Sequence, residues 1–298
     1  MKGLLFIILA AFLWAVDTLY RYPLMGKGLA PLQIVFIEHL FLCLFFLPVL
    51  LSSLKKLART SVAELFYFFV IGFLASGIGT LTFTKAMGLI NPSLVIILQK
   101  FQPIIAIGLA RVVLGERTDG PFWRWTLLCL FGGLLISSND LMALKEMDLS
   151  PGNLLKESAF KGYALTFCAA ACWGAATVFG KKLTNLDFTT AQVMMGRFYA
   201  AFLGLLPLAL STFEFQMVTD HGKDLSIMVL VSGILGMGFY YFGLKQVKAK
   251  LATLAEMFFP FFAIILNWVF LGASLNMVQI AGACFLLAGS FMIQYKRY

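Results

Sequence analysis

The stretch "KGYALTFCAAACWGAA", residues 161–176, repeats a message already given at the other end of the chain. Residues 2–17 read "KGLLFIILAAFLWAVD", and at a constant offset of 159 Lys2, Gly3, Ala10, Ala11 and Trp14 meet Lys161, Gly162, Ala169, Ala170 and Trp173. Gln33 and Pro48 meet Gln192 and Pro207 at the same offset. Further on the offset is 157, where Pro103 meets Pro260, Leu114 and Gly115 meet Leu271 and Gly272, and Ser76 and Gly79 meet Gly233 and Gly236. A Trp, a Gln, two prolines and a Leu-Gly pair in unchanged order indicate an internal duplication, with small shifts in loops changing the offset.

Composition sets the class. Hydrophobic residues make up 61% of the 298 positions and charged residues only 12%, against roughly 25% charged in soluble domains. Mean hydropathy is +0.91. A membrane-crossing helix needs about 20 mainly apolar residues, and such runs follow one another with short polar joints. The expected fold is all-α and integral to the membrane. Its ten spans lie near 3–22, 32–54, 62–87, 92–115, 121–141, 160–181, 190–212, 224–246, 249–272 and 275–295. Continuous apolar runs argue for helices rather than the alternating ten-residue strands of a barrel.

The first run is not expected to be a cleaved leader, because Asp17 and Arg21 stand where small residues should precede a cleavage site and its copy lies in mid-chain. The five cysteines, Cys43, Cys129, Cys168, Cys172 and Cys284, fall inside expected spans, where a thiol packs as a small apolar group. Cys168 and Cys172 share a helix face, but no His or carboxylate lies nearby in sequence to complete a metal site.

The net charge of +9 reports topology before it reports a partner, and nucleic acid is not expected. With the N-terminus inside, the inner joints hold Lys2, Lys55, Lys56, Arg59, Arg117, Arg124, Lys181, Lys182, Lys245, Lys248, Lys250, Lys296 and Arg297, which is 13. The outer joints hold six: Arg21, Lys27, Lys145, Lys156, Lys161 and Lys223. Both termini are therefore expected in the cytoplasm. Five spans per copy is an odd number, so the second copy enters the membrane inverted. The halves are residues 1–141 and 160–298, joined by a polar linker over 142–159. Two inverted halves rocking about a midplane site form the architecture of a carrier.

The repeated residues also resemble a known group. "AACWGAATVFGKK" at residues 170–182, its counterpart around Trp14, the stretch from Pro103 to "LGE" at 114–116, and Pro260 to "LGA" at 271–273 resemble the EamA family of the drug/metabolite transporter superfamily over nearly the whole chain. Ala15 stands where the second copy has Gly174, and Ala273 where the first has Glu116. Glu116 is accordingly read as a helix-end structural feature. The resemblance implies transport of small polar or amphipathic metabolites, often amino acids, across the inner (plasma) membrane, with export as the expected direction. Nucleosides, organic anions and cofactors are the alternative cargoes.

A charge at the centre of a span costs roughly 2.5–3.5 kcal/mol, so each must be paired, hydrated or useful. Asp17, Glu38, Lys85, Lys100, Arg197 and Glu256 are the deep candidates. Three acids against three bases suit a zwitterion slightly better than an ion. Glu38 and Arg197 stand 159 apart and are expected to pair across the pseudo-twofold, either as a buried structural pair or as one that opens to substrate or to a proton. Pro103 leaves the carbonyl of Gln99 without its helical donor beside Lys100, and Pro260 repeats the relation after Glu256. Lys100 and Glu256 are the expected opposing substrate contacts, with Gln99 and Gln102 beside them.

Asp17 and Arg21 have the i, i+4 spacing of a local ion pair. Trp14 and Trp173 are candidate cavity walls, and Tyr240 and Tyr241 offer aromatic surface with hydroxyls. Ser76, Gly79, Gly233 and Gly236 are expected to let helices approach closely. His39 is a candidate proton carrier beside Glu38. An enzyme reading lacks HExxH, GxSxG or a phosphate-binding glycine loop, and no cofactor is expected. A saturable secondary carrier, acting as a monomer or weak homodimer, is favoured over a channel.

Overall fold

Apolar runs become helix after helix in the computed structural model, which describes residues 2–90, 95, 98–138, 157–271 and 276–296. The helices are α1 (Lys2–Gly26), α2 (Pro31–Phe45), α3 (Leu47–Leu57), α4 (Val62–Phe69), α5 (Thr80–Met87), α6 (Gln102–Val113) and α7 (Gly120–Ile136). They continue with α8 (Glu157–Thr184), α9 (Thr190–Ala209), α10 (Phe215–Met228), α11 (Met237–Gln246), α12 (Ala249–Glu256), α13 (Phe258–Leu271) and α14 (Met277–Tyr295). Wider π-helical turns over Val70–Gly79 and Val229–Gly236 join α4 to α5 and α10 to α11. The described residues contain no strand.

Among the described residues six stretches are long and apolar enough to cross a bilayer: Lys2–Arg21, Val62–Ala86, Ser158–Thr184, Thr190–Ala209, Phe215–Gln246 and Ala249–Phe270. The second expected span is not one straight helix, because α2 and α3 meet at an angle of 74°, with Pro48 in the first turn of α3. The eighth begins already at Phe215 rather than at 224. Gln102–Val113, Gly120–Ile136 and Met277–Ile293 are shorter apolar helices. Most of the expected linker, residues 142–156, and the Leu-Gly-Ala stretch from Gly272 onward lie outside the described residues.

Local signals start several helices. Asp119 Oδ1 accepts the Phe122 N–H at 2.8 Å ahead of α7. Ser61 and Glu64 satisfy each other's backbone donors ahead of α4, as Thr189 and Gln192 do ahead of α9.

Contacts recur at the sequence offsets. Gln33 donates to the carbonyl of Thr212 at 3.0 Å, and Gln192 to the Ser53 hydroxyl at 3.1 Å; both members of the pair stand 159 apart. Trp14 packs on Tyr240 at 5.4 Å and lies against Gly236, while Trp173 packs on Phe83 at 5.1 Å and lies against Gly79. The two glycines sit within the π-helical turns. A Cβ on Gly79 would stand 3.0 Å from the Trp173 Nε1, and one on Gly236 2.9 Å from the Trp14 Nε1.

The main core gathers α1, α2, α4, α8, α9, α11 and α12 around Ile7, Ile71, Met194 and Tyr241. A second core joins α6, α7, α12 and α14 around Ile107, Phe122 and Leu286. There the backbones of α7 and α14 touch: a Cβ on Gly132 would lie 2.6 Å from the Leu286 nitrogen, and one on Gly282 2.7 Å from the Gly132 carbonyl oxygen. Packing of this kind, rather than hydrophobic exclusion, holds helices together in lipid.

Gly132→Ala and Gly282→Ala should therefore each cost about 1–3 kcal/mol through forced separation of the helices. Gly108→Ala, with nothing within 4 Å of the new methyl, should cost nothing. Heat denaturation in detergent checks this as a fall in midpoint for the first two variants only.

Candidate functional site

Helix breaks open the middle of the bundle. α6 starts only at Gln102, immediately after a turn at Lys100 and Phe101, and α12 ends at Glu256 before α13 restarts at Phe258. Pro103 and Pro260 both fall in the first turn of the helix that follows, a position where the missing N–H is not needed. Between the breaks lies a cavity of about 380 Å³, within the roughly 300–1,000 Å³ usual for small-molecule pockets.

Glu256 is held from three sides on the cavity wall. Its Oε1 accepts from Tyr240 at 2.9 Å and from Thr177 at 3.0 Å, and its Oε2 accepts from Gln102 at 3.0 Å. All three partners are neutral donors, so the carboxylate is solvated by protein dipoles. Trp173 stands beside it, donating its indole N–H to the Ala75 carbonyl at 3.1 Å inside the π-helical turn. Lys100, Gln99, Trp14 and Phe83 complete this part of the wall.

The second polar cluster sits where α1 meets α2. Arg21 Nε donates to Asp17 at 2.7 Å, and Arg21 Nη2 donates to Glu38 Oε2 at 3.0 Å. The local Asp17–Arg21 pair is present as its spacing suggested. The expected Glu38–Arg197 bridge is not. Glu38 is taken by Arg21, which reaches across to α2 once its own helix neighbour is engaged. Arg197 donates instead to the Tyr241 hydroxyl at 3.0 Å, and among the described residues no carboxylate lies within ion-pair distance of it.

His39 lines the same cavity. Its Nδ1 lies 2.7 Å from the Val35 carbonyl, which places the proton on Nδ1 and leaves Nε2 as an acceptor. Neither His39 Nε2 nor Thr253 Oγ1 has a partner among the described residues. Of the residues expected from sequence, Trp14, Glu38, His39, Gln99, Lys100, Gln102, Trp173, Arg197, Tyr240 and Glu256 all border one cavity. Tyr241 does not: its side chain is fully buried behind the wall and holds Arg197. Thr177 was overlooked, although the repeat register could have found it, since Thr18 and Thr177 stand 159 apart and both line the cavity.

The lining defines which way the cavity extends. It takes α1 from Trp14 to Arg21, α8 from Trp173 to Thr177, α11 no further than Tyr240 and α12 only from Thr253. Nothing from the helix ends bearing Lys2, Lys181, Lys245 or Lys248 takes part. At that basic end the chain is closed. A Cβ on Gly3 would meet the Gly243 carbonyl oxygen at 2.9 Å, and Lys181 donates to the carbonyls of Leu244 and Lys245 at 2.9 and 3.0 Å.

Removing Arg21 alone should leave two buried carboxylates facing each other, a change that costs about 3–5 kcal/mol when a buried ion cluster loses one member. Arg21→Gln should lower the heat-denaturation midpoint, and adding Asp17→Asn and Glu38→Gln to it should recover most of the loss. A midpoint unmoved by Arg21→Gln would mean that the cluster is solvated.

A family model described as the EamA-like transporter family matches residues 1–138 and 160–295. The chain is 33% identical over 301 residues to a protein named riboflavin transporter ImpX from Fusobacterium nucleatum subsp. nucleatum, covering 96% of this chain and 95% of that one. It is 24% identical over 300 residues to a protein named uncharacterized transporter YoaV from Bacillus subtilis (strain 168), covering 98% of this chain and 96% of that one. A crystal structure of a protein 14% identical in sequence superposes with a TM-score of 0.70 over 97% of this chain and 94% of that one. At that identity the superposition speaks for the fold alone.

Proposed function

The chain belongs to the EamA-like transporter family, and on that premise we propose that it is a secondary carrier for a neutral, ring-bearing metabolite of the riboflavin type, moved by alternating access. It is a multi-pass membrane transporter; the cargo, the topology and the cycle are the proposal. The observation that carries the cargo is the cavity wall. Trp14, Trp173, Phe83 and Tyr240 offer flat aromatic surface, suited to stacking on a fused heteroaromatic ring. Thr18, Thr80, Thr84 and Thr253, with His39 Nε2, supply donors and acceptors for a polyol chain and a ring imide. The relative named for riboflavin transport supports the same reading.

Charge narrows the class further. Asp17, Glu38 and Glu256 balance Arg21, Lys100 and Arg197 on the cavity wall. A neutral ligand leaves that balance intact at the membrane midplane, whereas a phosphorylated one adds net charge where charge is most costly. A free amino acid is the second reading. Arg197 and Glu256 on one wall could hold its carboxylate and ammonium, at the cost of breaking hydrogen bonds that Glu256 already has.

The proposed topology is ten spans in two inverted halves, residues 1–141 and 160–298, with both termini cytoplasmic in the plasma membrane. The six long apolar stretches, the bent α2–α3 pair and the three shorter helices supply enough helices for this count. The separate family matches to the two halves and the contacts repeated at matched positions support it. Inverted halves let one site face either side at similar energy, so cargo runs down its gradient in either direction unless a coupling ion such as a proton is carried with it.

Reconstituted in liposomes, the chain should exchange labelled riboflavin against unlabelled riboflavin with saturation, while an amino-acid panel gives no exchange. A flavin bearing a phosphate should compete at least about tenfold more weakly, the factor produced by about 1.4 kcal/mol. Exchange of an amino acid without riboflavin exchange would replace this cargo by the second reading.

A further inference from the structure

Glu116 closes the basic end of the molecule by a contact that links its two halves. Gly115, with φ +67°, turns the chain at the end of α6 through a conformation that a side chain would strain. The turn lets the Glu116 N–H return to the Ala110 carbonyl at 3.1 Å and sends the carboxylate outward to α12. There Oε1 accepts the Ala249 N–H at 2.8 Å and Oε2 accepts the Lys250 N–H at 3.0 Å. Both are open donors at the start of a helix with no side-chain cap of its own, and a carboxylate is their strongest partner.

The clasp is reinforced on both sides. Lys250 Nζ donates to the Arg117 carbonyl at 2.6 Å and lies 4.5 Å over the Phe122 ring, while Lys182 Nζ reaches the Val113 carbonyl at 3.5 Å. α12 spans eight residues, about 12 Å, and ends at Glu256 on the cavity wall. The clasp and the cavity carboxylate therefore share one short helix. The repeat does not supply a second clasp: the position 157 residues on is Ala273 in the sequence, where no carboxylate exists.

We propose that Glu116 is a positioning residue of the transport cycle, which holds the basic end shut through Ala249 and Lys250 and biases the resting carrier toward the state open at the opposite face. The proposal rests on the alternating-access reading above, and it adds an asymmetry which that reading lacks. Inverted halves alone make the two open states nearly equal in energy. Among the described residues the opposite face joins the halves by the exposed Lys27–Asp224 pair and the Gln33–Thr212 and Ser138–Asn276 hydrogen bonds, and no carboxylate caps a helix start there. The two closures therefore differ in kind, and breaking the Glu116 clasp shifts the population.

The test uses Thr80→Cys, on the cavity wall, as a reporter in the full chain in right-side-out and inverted vesicles, labelled with a membrane-impermeant maleimide; the chain without this change gives the background from native cysteines. The parent should label from the opposite face and poorly from the face bearing Lys2 and Lys182. Glu116→Gln should raise labelling from the basic face about tenfold, the scale of one lost hydrogen bond to a charged acceptor, with opposite-face labelling retained as evidence of folding. Ala249→Pro deletes one of the same bonds with Glu116 intact; proline suits a first helical position, and Lys248 before it is already extended at φ −69°, ψ 147°. It should shift labelling the same way, and it decides the matter if Glu116→Gln does not fold. Unchanged basic-face labelling in a folded variant, or a parent that labels equally from both faces, overturns the proposal. No flavin enters this assay, so a failure of riboflavin exchange would remove the proposed cargo and leave the labelling result standing.

Discussion

The constraint on which the rest depends is that charge inside lipid must be solvated by the protein itself. Glu256 meets it with three neutral donors drawn from three separate helices, Gln102 on α6, Thr177 on α8 and Tyr240 on α11. Asp17 and Glu38 meet it by sharing Arg21. The first arrangement pulls helices from distant parts of the sequence toward one point and the second ties α1 to its neighbour α2, so the polar residues that endanger a membrane fold instead locate its centre. The cavity lies between the two clusters because neither can be covered by lipid.

The breaks in α6 and α12 follow from the same constraint. A continuous helix satisfies its own backbone and gives nothing to a ligand, whereas irregular backbone is tolerated at membrane depth only where protein or a cavity surrounds it. The π-helical turns of Val70–Gly79 and Val229–Gly236 add to this effect. Their glycines admit the indole edges of Trp173 and Trp14, so the aromatic walls of the cavity are set by backbone geometry one helix away.

Much of this was legible in the residues. The doubled Trp, Gln and Pro positions suggested a repeat, and the prolines after Gln99 and Glu256 pointed to helix breaks that do border the cavity. Sequence spacing could not say which acid Arg21 or Arg197 would meet, because that depends on how α1 and α9 rotate about their axes; equal depth in the repeat suggested Glu38 with Arg197, and side-chain reach decided for Arg21. Tyr240 and Tyr241, adjacent in sequence, point to different places, one into the cavity and one behind Arg197. Glu116 was read as a helix-end feature because its counterpart is alanine. The departure from symmetry was itself the signal, since the Ala249 and Lys250 N–H groups that Glu116 caps belong to one half only.

The proposed cargo requires a flat heteroaromatic ring to lie between Trp14 and Trp173 in the charge-balanced cavity. Flavin fluorescence reports this directly, because an indole stacked on the ring quenches its emission. Titrating purified chain into riboflavin should quench the emission to saturation at one flavin per chain, and replacing Trp14 and Trp173 together by Phe should abolish most of the quenching in a variant that still unfolds in one cooperative heat-denaturation transition. Riboflavin emission that stays unchanged at saturating protein, or quenching that survives the double replacement, would contradict it.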